Sequence, residues 1–301
     1  MAEPTPTDWQ REHLRALEER LAPLRALPDG PVERFDTPLH QIEIRKQEGQ
    51  LLFFFRDRSS GELAGPMSRL DLARPLLLLA PYTQAALLTL AWHPEPQRVC
   101  LLGLAGGRVS LVLYHTLPQT ILYNVDIDPA VSTIAERFFG LRFDQRQRLA
   151  VQDARRYLEQ GDPGAQFEIV LMDAFRDDSD NLEHLATLEF YQRCRARLAR
   201  GGVVCVNLLK SDPRFWSKAR TFQRSFRHTL VCGLKRAALL FGSDRQLTPA
   251  ELRRRAADTQ RRLGLPFGLE EHAARCGGYR ELERYDEAVW RSAPILRDGD
   301  T

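Results

Sequence analysis

Lysine is nearly absent from this sequence: only Lys46, Lys210, Lys218 and Lys235 occur among 43 basic residues, and the other 39 are arginine. That bias reads as genome composition. The formal charge of +3 over 301 residues is too small to argue for a nucleic-acid partner. Cysteine is sparse and odd in number, with five residues and no C-x-x-C pair. Cys100, Cys205 and Cys232 sit in apolar runs, which predicts buried free thiols in a reducing compartment rather than a disulfide framework. Long apolar runs are also missing. The most apolar stretch, 72–92, is broken by Arg74, Pro75, Pro81 and Gln84, so it does not read as a membrane span. The first residues carry neither a basic nor an apolar leader region, which predicts a cytoplasmic protein without a signal peptide. No His/Cys/carboxylate spacing suits a metal, and no G-x-S-x-G or Cys–His signature occurs.

What is present is ordinary globular composition, 43% hydrophobic and 28% charged, enough for one large α/β domain with a small appendage. Leu14, Leu17, Leu21 and Leu24 recur at helical spacing, so residues 8–27 read as an amphipathic helix. Two runs, 41–46 and 50–56, flank Gly49 and read as a β-hairpin. A helix follows near 82–92. From Arg98 onward, strand-length apolar runs at 98–102, 121–125, 148–151, 167–172 and 202–208 alternate with helical stretches. That alternation predicts a parallel sheet covered on both faces. Runs at 229–233 and 237–241 would close it with an antiparallel pair. After Ser243 the chain reads as helical and basic, and Thr248-Pro249-Ala250-Glu251 is a helix start. The expected organisation is a helix at 1–30, a small β-hairpin domain with a linker helix at 31–96, a nucleoside-binding domain at 97–245 and a helical extension at 246–301.

Chemistry gathers at the ends of the predicted strands. Gly103, Ala105 and Gly107 lie in a strand-to-helix loop whose small residues permit close backbone approach to a ligand. Alone, such a loop serves tight packing about as often as binding. It is joined by Asp126, 19 residues beyond Gly107, and by Asp153 and Asp173, each after a further strand. Each aspartate alone reads equally well as a helix N-cap. Together, at the ligand-binding edge of an open α/β sheet, they read as a nucleoside site. The G-x-A-x-G spacing departs from the G-x-G-x-x-G of dinucleotide folds and better suits a nucleoside thioether or sulfonium.

These blocks resemble the spermidine synthase family of polyamine aminopropyltransferases. The residues that carry the resemblance are the run from Leu101 to Gly107, Val125-Asp126-Ile127-Asp128-Pro129, Gln152-Asp153-Ala154 through Leu158, Val170 through Phe175, Leu185 through Tyr191, and Leu198 through Leu208. The resemblance implies a doubly wound, mostly parallel, seven-stranded Rossmann-like sheet of the methyltransferase type, with a small N-terminal β domain. It implies decarboxylated S-adenosylmethionine as co-substrate, no metal, and transfer of an aminopropyl group to a polyamine such as putrescine. By position, Asp126 would hold the ribose hydroxyls, Asp153 beside Ala154 would accept from the adenine amine, and Gly103 to Gly107 would pass beneath the transferred end. Asp173 would orient and deprotonate the amine, and Tyr82 would stand in the amine pocket. The family also implies a homodimer, for which the 8–27 helix is one candidate surface; the other reading packs its leucines on its own domain.

The departures bear on the amine end. Arg176 stands where the family has a second carboxylate, Ala105 replaces a glycine, and Gln84 stands where an acid is usual. Asp177 and Asp178, with Asp180, are candidates to substitute for the lost acid, or form a solvated loop. His184 lies near the site and reads either as a proton-transfer group or as structural. Two alternatives therefore stand beside aminopropyl transfer: methyl transfer from S-adenosylmethionine, and nucleoside binding without catalysis. The net charge conceals an acidic centre. Residues 121–183 carry 7 basic and 13 acidic side chains, whereas residues 184–301 carry 23 and 13. A cationic donor and acceptor would be drawn to the former. The basic helices of the latter read as solvated faces, with no nucleic-acid partner.

Overall fold

The computed structural model describes residues 7–161, 165–174 and 183–300. Helix α1 (Asp8–Arg25) starts at a Thr7–Gln10 capping box. Its leucine stripe turns inward: Leu17 and Leu21 are buried facing Gly140, in one apolar cluster with the helices Arg108–Thr116 and Pro129–Phe139 and the N-terminal sheet. The stripe is thus used within the chain.

An antiparallel sheet follows, ordered β1 (Gly30–Asp36), β2 (Gln41–Gln47), β3 (Gln50–Arg56) and β4 (Ser68–Asp71). The hairpin read from sequence is its centre. β1 and β4 escaped notice because edge strands with one solvated face carry little apolar signal. The linker helix is split, with α2 (Pro81–Ala86) tightening into a 3-10 turn over Leu87–Ala91.

The large sheet has the order β12-β10-β11-β9-β8-β5-β6-β7. β5 (Arg98–Leu102), β6 (Ile121–Asp126), β7 (Gln147–Val151), β8 (Phe167–Met172) and the start of β9 (Leu198–Leu209) run parallel. β10 (His228–Gly233) and β11 (Ala237–Ser243) add the antiparallel pair. Between them lie α3 (Arg108–Thr116), α4 (Pro129–Phe139), α5 (Ala154–Gln160), α6 (Leu188–Ala196) and α7 (Phe215–Ser225). Central strands are buried on both faces, so they read as unbroken apolar runs.

Two expectations are corrected. The sheet has eight strands among the described residues, not seven. The C-terminal segment is not wholly helical: after α8 (Pro249–Leu263) and α9 (Leu269–Ala273) it adds the two-residue β12 (Cys276–Gly277) beside β10, before α10 (Glu287–Ser292). Two residues are too few for any periodicity to reveal. No helix among the described residues is long and apolar enough to cross a membrane.

Candidate active site

Strand order places the carboxyl ends of β5, β6, β7 and β8 side by side, and the loops leaving them line one cleft of about 330 Å³. The glycine-rich loop forms its floor. Gly103 has φ 93°, and a Cβ there would lie 2.4 Å from the Asp173 carbonyl oxygen, so only glycine fits. Ala105 follows with φ 46°, a left-handed conformation that costs a non-glycine residue about 1 kcal/mol. The loop is held from below and above. The Leu104 N–H donates to Asp126 Oδ2 at 2.8 Å, and the Gly106 N–H donates to Ser68 Oγ at 2.9 Å. Ser68 belongs to β4, so the small sheet closes over the loop.

Asp126 ends β6. Its Oδ1 accepts from the Asp128 N–H at 3.0 Å. Burial raises the pKa of this carboxyl above the usual range, against the backbone donors of Asp128, Leu104 and Ala105. Ile127 beside it is 45% exposed, an apolar shelf on the cleft wall. Asp128 is buried and serves architecture: it caps α4 through Ala130 N–H at 2.9 Å and accepts from Thr37 Oγ1 at 2.6 Å. His40 Nδ1 stands 3.1 Å from the same carboxylate, and its ring stacks on Phe55.

Asp153 and Ala154 also line the cleft. Asp153 does two local jobs there. Its Oδ1 caps α5 by accepting from the Arg156 N–H at 2.9 Å, and its Oδ2 pairs with His184 Nε2 at 2.9 Å. The His184 bond, more than any other contact, holds the Asp153 pKa below its usual value. His184 is placed from the far C-terminus: Arg155 binds the His184 carbonyl oxygen at 2.7 Å and Asp298 at 2.6 Å.

The other end of the cleft is different. Asp173 leaves β8 with part of its surface open to the cleft and dense protein around the rest. Burial pushes its pKa up to about 6, while hydrogen bonds from Asn207 and Tyr82 oppose the rise. Asn207 Nδ2 donates to Asp173 Oδ1 at 2.9 Å from mid-sheet β9, and Tyr82 donates its hydroxyl from α2. Burial beside Asp173 in turn raises the Tyr82 phenol well above its ordinary value, so it stays a donor. Leu79, Leu101, Leu171, Cys205 and Leu239 complete an apolar wall.

One expected site residue is not in the cleft. Gln84 spends its amide internally: Nε2 donates to Leu78 O at 2.6 Å and Oε1 lies 2.9 Å from His272 Nε2. Tyr82, two residues earlier on α2, takes the cleft-facing position. Asp177 and Asp178, with Arg176 and Asp180, lie outside the described residues. Sequence reasoning overlooked Ser68 and His40, single polar residues outside any motif, and gave no role to Asn207 although it lies in the Leu198–Leu208 block. It also overlooked Arg108, which is 5% exposed, lines the cleft, and has Nε and Nη1 without partners.

No family model matches the chain. It is 33% identical over 147 residues to a polyamine aminopropyltransferase of Vibrio vulnificus, a match covering 48% of this chain and 49% of that relative. It is 28% identical over 210 residues to the polyamine aminopropyltransferase of Chromobacterium violaceum, covering 67% and 78%. The chain thus matches about half the length of the first and over three quarters of the second. Among solved structures, a probable spermidine synthase from Corynebacterium glutamicum superposes with TM-score 0.63 at 20% identity, covering 87% of this chain and 97% of that one. A spermidine synthase in complex with the transition-state analogue AdoDATO gives 0.62 at 16% identity, covering 81% and 83%. The class is therefore the doubly wound methyltransferase-like fold with an N-terminal antiparallel sheet, as in spermidine synthases. Within it, the chain is similar in sequence to polyamine aminopropyltransferases.

Proposed function

We propose that this chain is an aminopropyltransferase that uses decarboxylated S-adenosylmethionine and a polyamine acceptor such as putrescine. The observation that carries the proposal is Asp173: a buried carboxylate with its pKa pushed up to about 6, held by Tyr82 and Asn207, one loop away from the carboxylate Asp126. In this reading Ile127 and Ala154 flank the base and Asp126 accepts from the ribose hydroxyls with its free lone pairs. Asp153, already bonded to His184, presents the nucleobase end as a pair rather than as a lone carboxylate.

Asp173 binds the incoming ammonium, and a pKa near 6 lets it take up a proton as the amine becomes nucleophilic. The amine lone pair then forms the new C–N bond. The C–S bond breaks, its electrons pass to sulfur, and neutral methylthioadenosine leaves. Because the leaving group is neutral, the protein contributes mostly alignment and exclusion of water. The test is incubation of purified protein with decarboxylated S-adenosylmethionine and putrescine or longer amines. Methylthioadenosine should appear in step with the alkylated amine, and its absence with every amine removes the proposal.

Arg108 favours a second reading. Two unpartnered guanidinium nitrogens beside the glycine loop suit a carboxylate, which S-adenosylmethionine carries and its decarboxylated form lacks. Calorimetry with both donors separates the readings. Tighter binding of the carboxylated donor, lost in Arg108→Met, would make methyl transfer the better assignment. The homodimer implied by the resemblance is part of the proposal and is read by light scattering.

A further inference from the structure

Behind the amine end of the cleft, the sheet edge brings two cysteines together. In the antiparallel register of β10 and β12, Cys232 stands opposite Cys276. Directly opposed antiparallel residues have Cα atoms about 4.5–5.5 Å apart, inside the range of about 4.4–6.8 Å that a disulfide bridges. Both sulfurs converge on one acceptor, the His272 carbonyl oxygen, at 3.5 Å for Cys232 Sγ and 3.4 Å for Cys276 Sγ. The Cys276 thiol can turn its one proton from that carbonyl to the Cys232 sulfur. That S–H···S bond lowers the Cys232 pKa, helped by Arg275, and raises that of Cys276, so the pair divides into a nucleophile and a proton-bearing partner. Both are buried, but β12 is two residues long at the sheet edge, where local opening costs least.

The acceptor they share is wired to the cleft. His272 Nε2 lies 2.9 Å from Gln84 Oε1, and Gln84 Nε2 holds Leu78 O. Gln84 is on α2, two residues from Tyr82. On the other side, Cys232 is paired with Leu239 of β11, which lines the cleft.

We propose that Cys232 and Cys276 are a redox-active dithiol that peroxide converts to a disulfide, altering the amine end of the cleft through His272, Gln84 and α2. In the first step the Cys232 thiolate attacks one peroxide oxygen. The O–O bond breaks, and hydroxide leaves and takes up a proton, giving a sulfenic acid and water. In the second step the Cys276 sulfur displaces the sulfenic oxygen, forming the S–S bond and a second water. Two thiols lose two electrons and one peroxide gains them. A disulfide carries no S–H, so the His272 carbonyl loses its thiol donation on oxidation, and the segment whose side chain meets Gln84 is expected to shift.

The full-length protein is treated with hydrogen peroxide, its remaining thiols are alkylated under denaturing conditions, and its peptides are analysed without reduction. A linked Cys232–Cys276 peptide, two hydrogens lighter and reversed by dithiothreitol, is expected. Cys100, Cys194 and Cys205 should stay alkylatable. Cys276→Ser and Cys232→Ser should each abolish the link. Amide hydrogen exchange over residues 78–86 should change at least threefold on oxidation of the native chain and not of either variant. A linked peptide missing after the other thiols have oxidised overturns the proposal, as does a linked peptide with exchange over 78–86 unchanged. Neither readout uses turnover, so each stands apart from the aminopropyl-transfer reading. A threefold or greater rise in KM for the amine on oxidation is the consequence that rests on that reading.

Discussion

The two ends of the cleft are built by different rules. At the proposed nucleoside end, Gly103 to Gly107 and Asp153 follow β5 and β7 within two residues, Asp126 closes β6, and most of their partners are backbone N–H groups. At the proposed amine end, Asp173 depends on Tyr82 and Asn207, 91 positions before and 34 after it in the sequence. Burial raises both carboxyls; backbone donors oppose the rise at Asp126, whereas two side-chain donors oppose it at Asp173, whose pKa still climbs to about 6. A parallel sheet supplies the first kind of site at the end of every strand. The second kind depends on which unrelated elements pack above it.

Breaking Asp173 should have the largest effect. Asp173→Asn is expected to lower turnover by roughly 10²–10⁴, the usual worth of a general base, while leaving methylthioadenosine affinity within about threefold. The same change should stabilise the fold at pH 7. A carboxyl whose folded pKa lies above its unfolded one favours folding below about pH 4 and loses that contribution as pH rises through 6. Removing it recovers up to about 3 kcal/mol in urea unfolding at pH 7. Activity lost without gain in stability would show that Asp173 is less strained than its burial implies.

Asp126→Ala comes next. Losing charge-assisted bonds to two hydroxyls should weaken nucleoside binding by roughly 10²-fold in calorimetry. If affinity is kept, ribose is held elsewhere and the contrast between the ends fails. A smaller effect sharpens the amine end. In the native protein kcat/KM should fall tenfold per pH unit below about 6, as Asp173 protonates. Tyr82→Phe removes a donor to the ionised form, so that acid limb should move to higher pH, with turnover reduced about tenfold. A limb that stays in place would detach Tyr82 from Asp173.

The smallest effect on activity is expected far from the cleft, at the contact of α1 with α3. His13 Nδ1 and His115 Nδ1 are 3.0 Å apart, and burial lowers both pKa values to about 4. Each histidine is therefore neutral in the fold and protonates more readily when unfolded. Stability should fall as pH drops below about 6.5, by about 2 kcal/mol per histidine between pH 7 and 5. His13→Gln should flatten that decline in urea titrations and leave turnover at pH 7 unchanged.

Much of this molecule was legible in the sequence because its signals are local. β5 to β8 announce themselves as apolar runs, and the caps at Asp153 and Thr248 occur where residue type and spacing predict them, whereas α4 is capped by Asp128 rather than by Asp126. The nucleoside-end residues share the cleft because each belongs to a strand end, a position that alternation alone identifies. Gln84 and Tyr82 show where that reasoning stops. Both lie on α2, and only its rotation against α9 decides that the amide meets His272 while the phenol meets Asp173. Ser68 over the glycine loop, Asn207 under Asp173 and the pairing of Cys232 with Cys276 are decided in the same way.

Backbone periodicity, capping and turn chemistry act over a few residues, so the sequence by itself determined the strand–helix alternation and the row of carboxylates at the strand ends. Partner choice at the amine end and at the edge dithiol depends on contacts between segments tens to hundreds of residues apart. Only close packing of those segments selects the partners, and only burial within that packing raises the Asp173 pKa, so the tertiary structure alone decided both.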